Sequence, residues 1–294
     1  MSEQKQLSEN SSLLNILSTA LACPGIKINR DDFLRETFSH FDESLRKKVI
    51  EEGPVVAGCQ KETLRRIAKN IIQRETYRSS GASFVTGLPG GPIGLTAGIA
   101  ADTIQFFGVA LRLAQELSYL YGAEDLWNDN TLDRTAITNR FVIYCGVMFG
   151  VSGASATMRV AFAALGKQAL KKLPQKALTK SWYFAITKAI VKVFGIRLTK
   201  STFAKGISKA LPIVGGLVSG GITYISMPPM GNRLVDALEE VQFDYSDEKF
   251  AADIEAMKKT AEAEQTSSSD TIIIEDASEK PSGETNDSSA AKQP

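Results

Sequence analysis

A long segment without carboxylates constrains this chain more than any other sequence feature. No Asp or Glu occurs in residues 134–235, called here the basic segment, which contains fifteen Lys and Arg side chains. From Asp236 onward the balance reverses, with sixteen acidic and five basic residues. The formal net charge of +1 therefore hides a chain that is strongly polarised along its length.

Helix patterns dominate the first half of the chain. Apolar residues recur at helical spacing in Ser8 to Ala22, in a segment from Asp31 to about Glu52, and in Lys61 to Arg78. Each of these segments has a charged opposite face, which is typical of an amphipathic helix in a soluble protein. A long helix is predicted from about Ile93 to Tyr121, with Gly122 as its left-handed C-cap. No convincing strand pattern is present, so the predicted fold class is all-α.

The second half of the chain also has helix patterns. We expect a helix that carries an uncharged stretch, Phe141 to Met158, and a last helical region from Val235 to Lys259. Another uncharged stretch, Ala210 to Asn232, is predicted to end at Pro228-Pro229, because proline cannot donate a helical hydrogen bond. Beyond Glu264 the polar composition predicts a disordered acidic tail. The predicted divisions of this single multi-helix domain are an N-terminal helical region (1–60), a main helical region (61–240), a C-terminal helix (241–264) and the tail (265–294).

Residue types for catalysis and metal binding are scarce. The chain has one histidine, His40, and three widely spaced cysteines, Cys23, Cys59 and Cys145. No GxSxG nucleophile motif is present, and no glycine loop is followed by the Lys-Ser/Thr of a phosphate site. We therefore predict a protein without enzymatic activity, metal or other cofactor. The lack of a CxxC pair and of a signal-peptide pattern predicts reduced, buried thiols in a cytoplasmic protein.

Lysine pairs in the basic segment indicate the binding partner. Two lysines four residues apart lie on one face of a helix and repel each other, and no nearby carboxylate relieves the repulsion. Basic amphipathic helices with aromatic residues bind anionic bilayer surfaces, at roughly 1 kcal/mol per basic residue. Two alternatives stay open: neutralisation by the acidic C-terminal region of the same chain, and nucleic acid, which the lack of a nucleic-acid motif disfavours. The predicted lipid-binding residues are Lys167, Lys171, Lys176, Lys180, Lys188, Lys192, Lys205 and Lys209.

Glycines at four-residue spacing recur in the uncharged stretches. Examples are Gly146 with Gly150 and Gly216 with Gly220, and this spacing lets helix backbones approach closely. Only Ala210 to Asn232 has the length to cross a bilayer, and its five glycines make it a weak candidate. We therefore expect packed or reversibly inserted helices, with a membrane-inserting or pore-like protein as the alternative function.

Two further features have candidate roles. Asp102 lies on the apolar stripe of its predicted helix, where a carboxylate must be paired or protonated, and Arg140 and Arg159 are candidate partners. As alternatives to a structural ion pair, this residue could bind a ligand or handle a proton. In the tail, the run Ile272, Ile273 and Ile274 is flanked by acids and resembles a SUMO-interacting motif, which adds a strand to the sheet edge of a partner protein.

A set of motifs in chain order resembles the EcsC protein family and covers roughly Lys61 to Leu238. The motif residues are the run Ala82 to Pro92 with Thr86, Gly87, Pro89 and Gly90, then Asp102, Leu113 to Leu117, Leu120-Tyr121-Gly122 and Leu211 to Gly216. One departure is Thr223, where the family often has an Asn. The resemblance implies a bacterial-type accessory protein associated with a membrane or with an ABC transporter, and it transfers no catalytic residue.

These observations predict a peripheral protein on the inner face of the membrane. Its expected partner is an anionic membrane surface or a membrane transporter. This prediction depends on the lysines of the basic segment, because the net charge of the whole chain, +1, is too small to attract the protein to an anionic membrane.

Overall fold

The computed structural model describes residues 13–78, 101–127, 134–165 and 220–259. Within these ranges the chain forms helices and no strand, which confirms the all-α prediction. In chain order the helices are α1 (13–22), α2 (Arg30–Thr37), α3 (Glu43–Glu52), α4 (Lys61–Arg78), α5 (Ala101–Leu120), α6 (Arg134–Met148), α7 (Ala154–Leu165), α8 (Gly220–Phe243) and α9 (247–259).

The helix ends at α4 and α5 agree with the sequence analysis. α4 has the predicted bounds, Lys61–Arg78, because its apolar residues keep a single helical stripe along its length. Gly122, just after α5, has a φ of 89° and is the predicted left-handed C-cap. The amide of Ala123 donates to the carbonyl of Ser118 over 2.9 Å and closes the helix end.

The single helical segment predicted from Asp31 to about Glu52 is wrong, because the structure divides it into α2 and α3. A turn separates them, and the side chain of Asp42 then accepts a hydrogen bond of 2.9 Å from the amide of Ser44. This N-cap satisfies a backbone donor that the start of α3 would otherwise leave free. Gly53, with a φ of 90°, ends α3 as predicted.

The uncharged stretch from Phe141 to Met158 does not form one helix. α6 ends at Met148 and α7 begins at Ala154. Gly150 and Gly153 lie between them with φ values of 70° and 78°, which side chains other than glycine rarely tolerate. This turn is hard to predict from the sequence. Both helices are buried in the same core, so the stretch is apolar on both sides of the turn.

α8 passes through the two prolines at which a helix end was predicted. Pro228 and Pro229 each lack an amide hydrogen, so the carbonyls of Tyr224 and Ile225 receive no helical hydrogen bond from them. Packing of α8 against α4, α5, α6 and α7 compensates for this loss. The predicted last helical region, Val235 to Lys259, is helical but not continuous: its first residues belong to α8, and a short break precedes α9.

α4 and α8 form an antiparallel pair at the centre of the bundle. At one end the ammonium of Lys61 lies 2.5 Å from a carboxylate oxygen of Asp244. At the other end the rings of Tyr77 and Tyr224 are 5.8 Å apart. α5 runs antiparallel to α4. Tyr121, just after α5, bonds the same Glu239 as Arg65 near the start of α4, whereas Arg112, earlier on α5, contacts Glu75 near the end of α4.

One continuous hydrophobic core joins α1 through α8, as expected of a single domain. The described helix α9 instead packs on α7 in a small separate cluster that includes Val160 and Met257. Cys23, Cys59 and Cys145 are free and buried, as predicted, and burial raises the pKa of the Cys145 thiol to about 12.

Candidate functional site

The packing of α4 on α5 buries two carboxylates side by side. Glu75 and Glu116 each have only 1% of their surface exposed. The guanidinium of Arg112 lies between them, with Nε donating to Glu75 over 3.1 Å and Nη2 donating to Glu116 over 3.1 Å. A buried charge is tolerated only when it is paired, and Arg112 supplies one such partner to both carboxylates.

Arg74 bridges the same two carboxylates from the other side. Its Nη2 donates to Glu116 over 2.6 Å, and its Nε is 3.3 Å from Glu75. The cluster of Arg74, Glu75, Arg112 and Glu116 is called here the α4–α5 charge cluster. Because two cations face two anions in alternation, the cluster is formally neutral inside the bundle.

Glu116 holds its proton more strongly than an ordinary glutamate. Burial, and after it the negative charge of Glu75, raise the pKa of Glu116 from 4.5 to about 7 against the opposing effects of Arg74 and Arg112. A carboxyl group with this pKa exchanges a proton near neutral pH. The geometry therefore provides a proton-handling group, although the chain offers no nucleophile beside it among the described residues.

A cleft of about 270 Å³ leads from the surface to the α4–α5 charge cluster. Its wall opposite α4 comes from α2 and the loop before it. Four cations and three acids line it, which leaves a formal excess of one positive charge. The charged lining residues are Lys27, Asp32, Glu36, Arg74, Arg78, Arg112 and Glu116.

Gln115 fixes the loop that forms one rim of this cleft. Its Nε2 donates to the carbonyl of Ile26 over 2.9 Å, and its Oε1 accepts from the amide of Ile28 over 3.2 Å. Its Oε1 also accepts from the indole of Trp127 over 2.8 Å. The side chain of Arg112 adds a hydrogen bond of 2.5 Å to the carbonyl of Gly25. Within the motif Leu113 to Leu117, Glu116 thus lines the cleft and Gln115 holds its rim.

A second group of buried charges joins α4 to the far end of α8. Glu239, which is 2% exposed, accepts from Nε of Arg65 with both oxygens at 2.9 Å. Arg65 also pairs with Asp236, and the hydroxyl of Tyr121 donates to Glu239 over 2.8 Å. Burial and the hydrogen bond to Glu239 raise the pKa of the Tyr121 hydroxyl, so this tyrosine stays protonated.

Arg159 holds α9 against the bundle. Its Nε and Nη2 donate to the two carboxylate oxygens of Asp253 over 2.8 and 2.6 Å, and its Nη1 donates to Glu240 over 3.0 Å. The hydroxyl of Tyr245 donates to the same Asp253 over 2.8 Å. The structure therefore gives Arg159 partners from α8 and α9, where the sequence analysis expected Asp102.

Most of the predicted site residues lie outside the described residues. This applies to the eight lysines of the basic segment, to Thr86, Gly87, Pro89 and Gly90, to the side chain of Asp102, and to Ile272, Ile273 and Ile274. Arg140 is half-buried on α6. Sequence reasoning missed Glu75 and Glu116, although both lie at helical spacing from apolar core residues.

Comparison of the chain with known protein families, with curated proteins and with solved structures finds no match. The resemblance to the EcsC family therefore stays a prediction. Function has to be argued from the geometry and the charges of the chain itself.

Replacing Glu116 with Gln will remove a pH dependence of stability. The pKa of Glu116 is raised from 4.5 to about 7, so the folded state binds more protons than the unfolded state between these values. Stability from this group therefore falls as the pH rises through that window. The quantity to compare is the free energy of unfolding of the wild type minus that of Glu116→Gln. We expect this difference to decrease from about pH 5 to about pH 7 and to stay level above that.

Urea unfolding at several pH values measures this difference. Glu255→Gln is the matched control, because Glu255 lies on α9 with 57% of its side chain exposed. A difference for Glu116→Gln that stays constant from about pH 5 to pH 8 would contradict the raised pKa.

Proposed function

We propose that this protein is a non-catalytic, peripheral membrane protein that binds anionic lipid surfaces through the lysines of its basic segment. The observation that carries the proposal is the pairing of the C-terminal acids. Within residues 236–259, six acidic side chains pair with cations that the structure describes, and among these described cations Arg159 alone belongs to the basic segment.

Six of the eight acidic residues in this range make ion pairs. Arg65 pairs with two of them on α8, and Lys61 pairs with a third. Only Arg159 belongs to the basic segment, and it lies before the first predicted lipid-binding lysine. The carboxylates involved are Asp236, Glu239, Glu240, Asp244, Asp253 and Glu255.

This pairing weakens the main alternative to lipid binding. If the C-terminal helices neutralised the basic segment, their carboxylates would need to be open to its lysines. Asp236 instead pairs with Arg65, Glu255 pairs with Lys258 on the exposed face of α9, and the other four lie 2.5–3.0 Å from a cation on another helix. An extended anionic bilayer can supply many counter-ions at once to Lys167 through Lys209.

Co-sedimentation with vesicles tests the proposal. We expect the protein to bind phosphatidylserine-containing vesicles and not pure phosphatidylcholine vesicles, and high salt to release it because exposed charges are screened. Lys188→Gln with Lys192→Gln should weaken binding by roughly 30-fold, at about 1 kcal/mol for each lost charge. Lys47→Gln with Lys48→Gln is the matched control, since it removes two exposed charges from α3.

Equal losses for the two double variants would contradict a localised basic surface. Binding to neutral vesicles, or binding that survives high salt, would contradict surface docking and favour insertion of the glycine-rich stretches. Within the ranges that the structure describes, no helix combines the length and the apolar character required for a membrane crossing.

A further inference from the structure

Exposed aromatic side chains cluster at one end of the α4–α8 pair. Tyr77 is 56% exposed, Tyr224 is 46% exposed, and the neighbouring Ile225 is 48% exposed. The rings of Tyr77 and Tyr224 are 5.8 Å apart and tilted by 57°, so the two helices present them together. These three residues, called here the aromatic end, expose apolar surface that the folded core does not use.

The charges around the aromatic end are positive. In residues 69–78 and 224–235 the only carboxylate is Glu75, and it is buried. Arg74 and Arg78 retain 42% and 54% exposure of their side chains, although each contacts Glu75. Tyrosines beside exposed arginines match the interfacial layer of an anionic bilayer, where aromatic rings and cations are both favoured.

Two described helix ends, one before the glycine-rich stretch and one after the lysines of the basic segment, lie together. α4 ends at Arg78, and the glycine-rich stretch 79–100 follows it. α8 begins at Gly220, directly after the lysine-rich part of the basic segment. Because α4 and α8 are antiparallel, Arg78 and Gly220 lie at one end of the bundle. The antiparallel packing of α5 on α4 brings Ala101 to this end as well.

The backbone of α8 sets how deep this end can go. Pro228 and Pro229 give no hydrogen bond to the carbonyls of Tyr224 and Ile225. A carbonyl without this donor is better placed where water or lipid headgroups can supply one, since an unpaired carbonyl in hydrocarbon costs several kcal/mol. The aromatic end therefore fits the headgroup layer and not the hydrocarbon core.

We propose that Tyr77, Tyr224 and Ile225 form the face that enters the headgroup layer of an anionic membrane, with Arg74 and Arg78 contacting lipid phosphates. This inference rests on the proposed function, because it names the surface by which the folded domain is oriented on the bilayer. The lysines of the basic segment supply attraction, and the aromatic end supplies a fixed point of contact.

A fluorescent label on the full-length protein tests the inference directly. Ile225→Cys places a reactive thiol at the aromatic end, whereas the native cysteines are buried and react poorly. The control is Val56→Cys, because Val56 is 73% exposed in the turn before α4, at the other end of the helix. With NBD as the label, we expect blue-shifted and stronger emission at position 225 on addition of phosphatidylserine vesicles, and no change at position 56.

The outcomes separate this inference from the proposed function. Co-sedimentation without a change in the label at position 225 would overturn the membrane-facing role of the aromatic end and leave lipid binding intact. Failure of both labelled proteins to co-sediment would overturn both proposals. A blue shift that appears without vesicles when the protein concentration is raised would show self-association through the aromatic end and overturn the inference.

A second pair of variants checks the energetic contribution. Tyr77→Ser with Tyr224→Ser should weaken vesicle binding by about tenfold, since two rings lose apolar contact with the interface. Leu14→Ser with Val56→Ser removes exposed apolar side chains elsewhere and should leave binding within about twofold. Circular dichroism shows whether each variant keeps its helices. Equal affinities for the two folded double variants would overturn the anchoring role.

Discussion

Replacing Arg112 with Leu will lower the free energy of unfolding by about 3–5 kcal/mol at pH 8. Arg112 is the guanidinium that contacts both Glu75 and Glu116, each at 3.1 Å. Without it, two carboxylates with 1% exposure face each other with Arg74 as their remaining close partner. Removing one member of a buried pair leaves an uncompensated charge, which costs far more than the intact pair contributes.

The pH dependence identifies the cause of this loss. At about pH 5 Glu116 is largely protonated, because its pKa is raised to about 7, and only Glu75 needs a cation. The destabilisation should therefore be smaller at about pH 5 than at pH 8. Urea unfolding at both pH values measures it. Arg35→Leu is the control, since its ion pair with Asp32 is exposed and should contribute less than about 1 kcal/mol.

An equal loss at the two pH values would show that Arg112 acts through packing alone. A loss below about 1 kcal/mol would show that the two carboxylates share a proton or find other partners in the variant.

Replacing Gly231 with Leu will destabilise the protein by about 3 kcal/mol through overpacking between α4 and α8. A Cβ atom at Gly231 would lie 2.7 Å from Cγ1 and 2.9 Å from Cδ1 of Ile72, which is closer than carbon atoms pack. Leucine adds three more carbons in the same direction. The helices must separate or Ile72 must leave its rotamer, and both changes disrupt the central contact of the bundle.

A double-mutant cycle measures this contact. Ile72→Ala alone should be destabilising, because Ile72 is buried, but it should partly restore stability in the Gly231→Leu background. Asn232→Leu is the matched control, since the next residue on α8 is exposed and accepts the same side chain with little change. Additive effects of Ile72→Ala and Gly231→Leu would contradict a direct clash between the two positions.

The sequence predicted the helical class and several helix ends for identifiable reasons. Lys61–Arg78 keeps one apolar stripe, and Gly122 follows a long apolar run. The breaks in the other segments depend on weaker signals. The N-cap at Asp42 competes with a continuous helical pattern, and two glycines interrupt a stretch that is apolar on both sides. α8 continues through its two prolines because it packs against other helices, and a single sequence does not show that packing.

The buried charges show most clearly what the sequence alone cannot predict. A carboxylate on the apolar stripe of a helix needs a partner. This rule predicts a partner for Asp102 from the sequence, and the same rule holds for Glu75 and Glu116. Spacing alone cannot identify which carboxylates are buried, because Arg112 and Glu116 are also four residues apart, as in a surface ion pair. Only the packing of α4 on α5 distinguishes the two cases. Similarly, Tyr77 and Tyr224 are distant in sequence and adjacent in space.

The antiparallel pairing of α4 and α8 has a consequence for how the molecule approaches a charged surface. Antiparallel helix dipoles cancel, so the long-range field of the pair comes from its side chains. The end with Lys61 and Asp244 is neutral by pairing, whereas near Arg78 three arginines, Arg74, Arg78 and Arg112, contact only two glutamates, Glu75 and Glu116. A negative surface therefore exerts a torque that turns the Arg78 end toward it before contact. Salt would slow such encounters by randomising the orientation of arriving molecules.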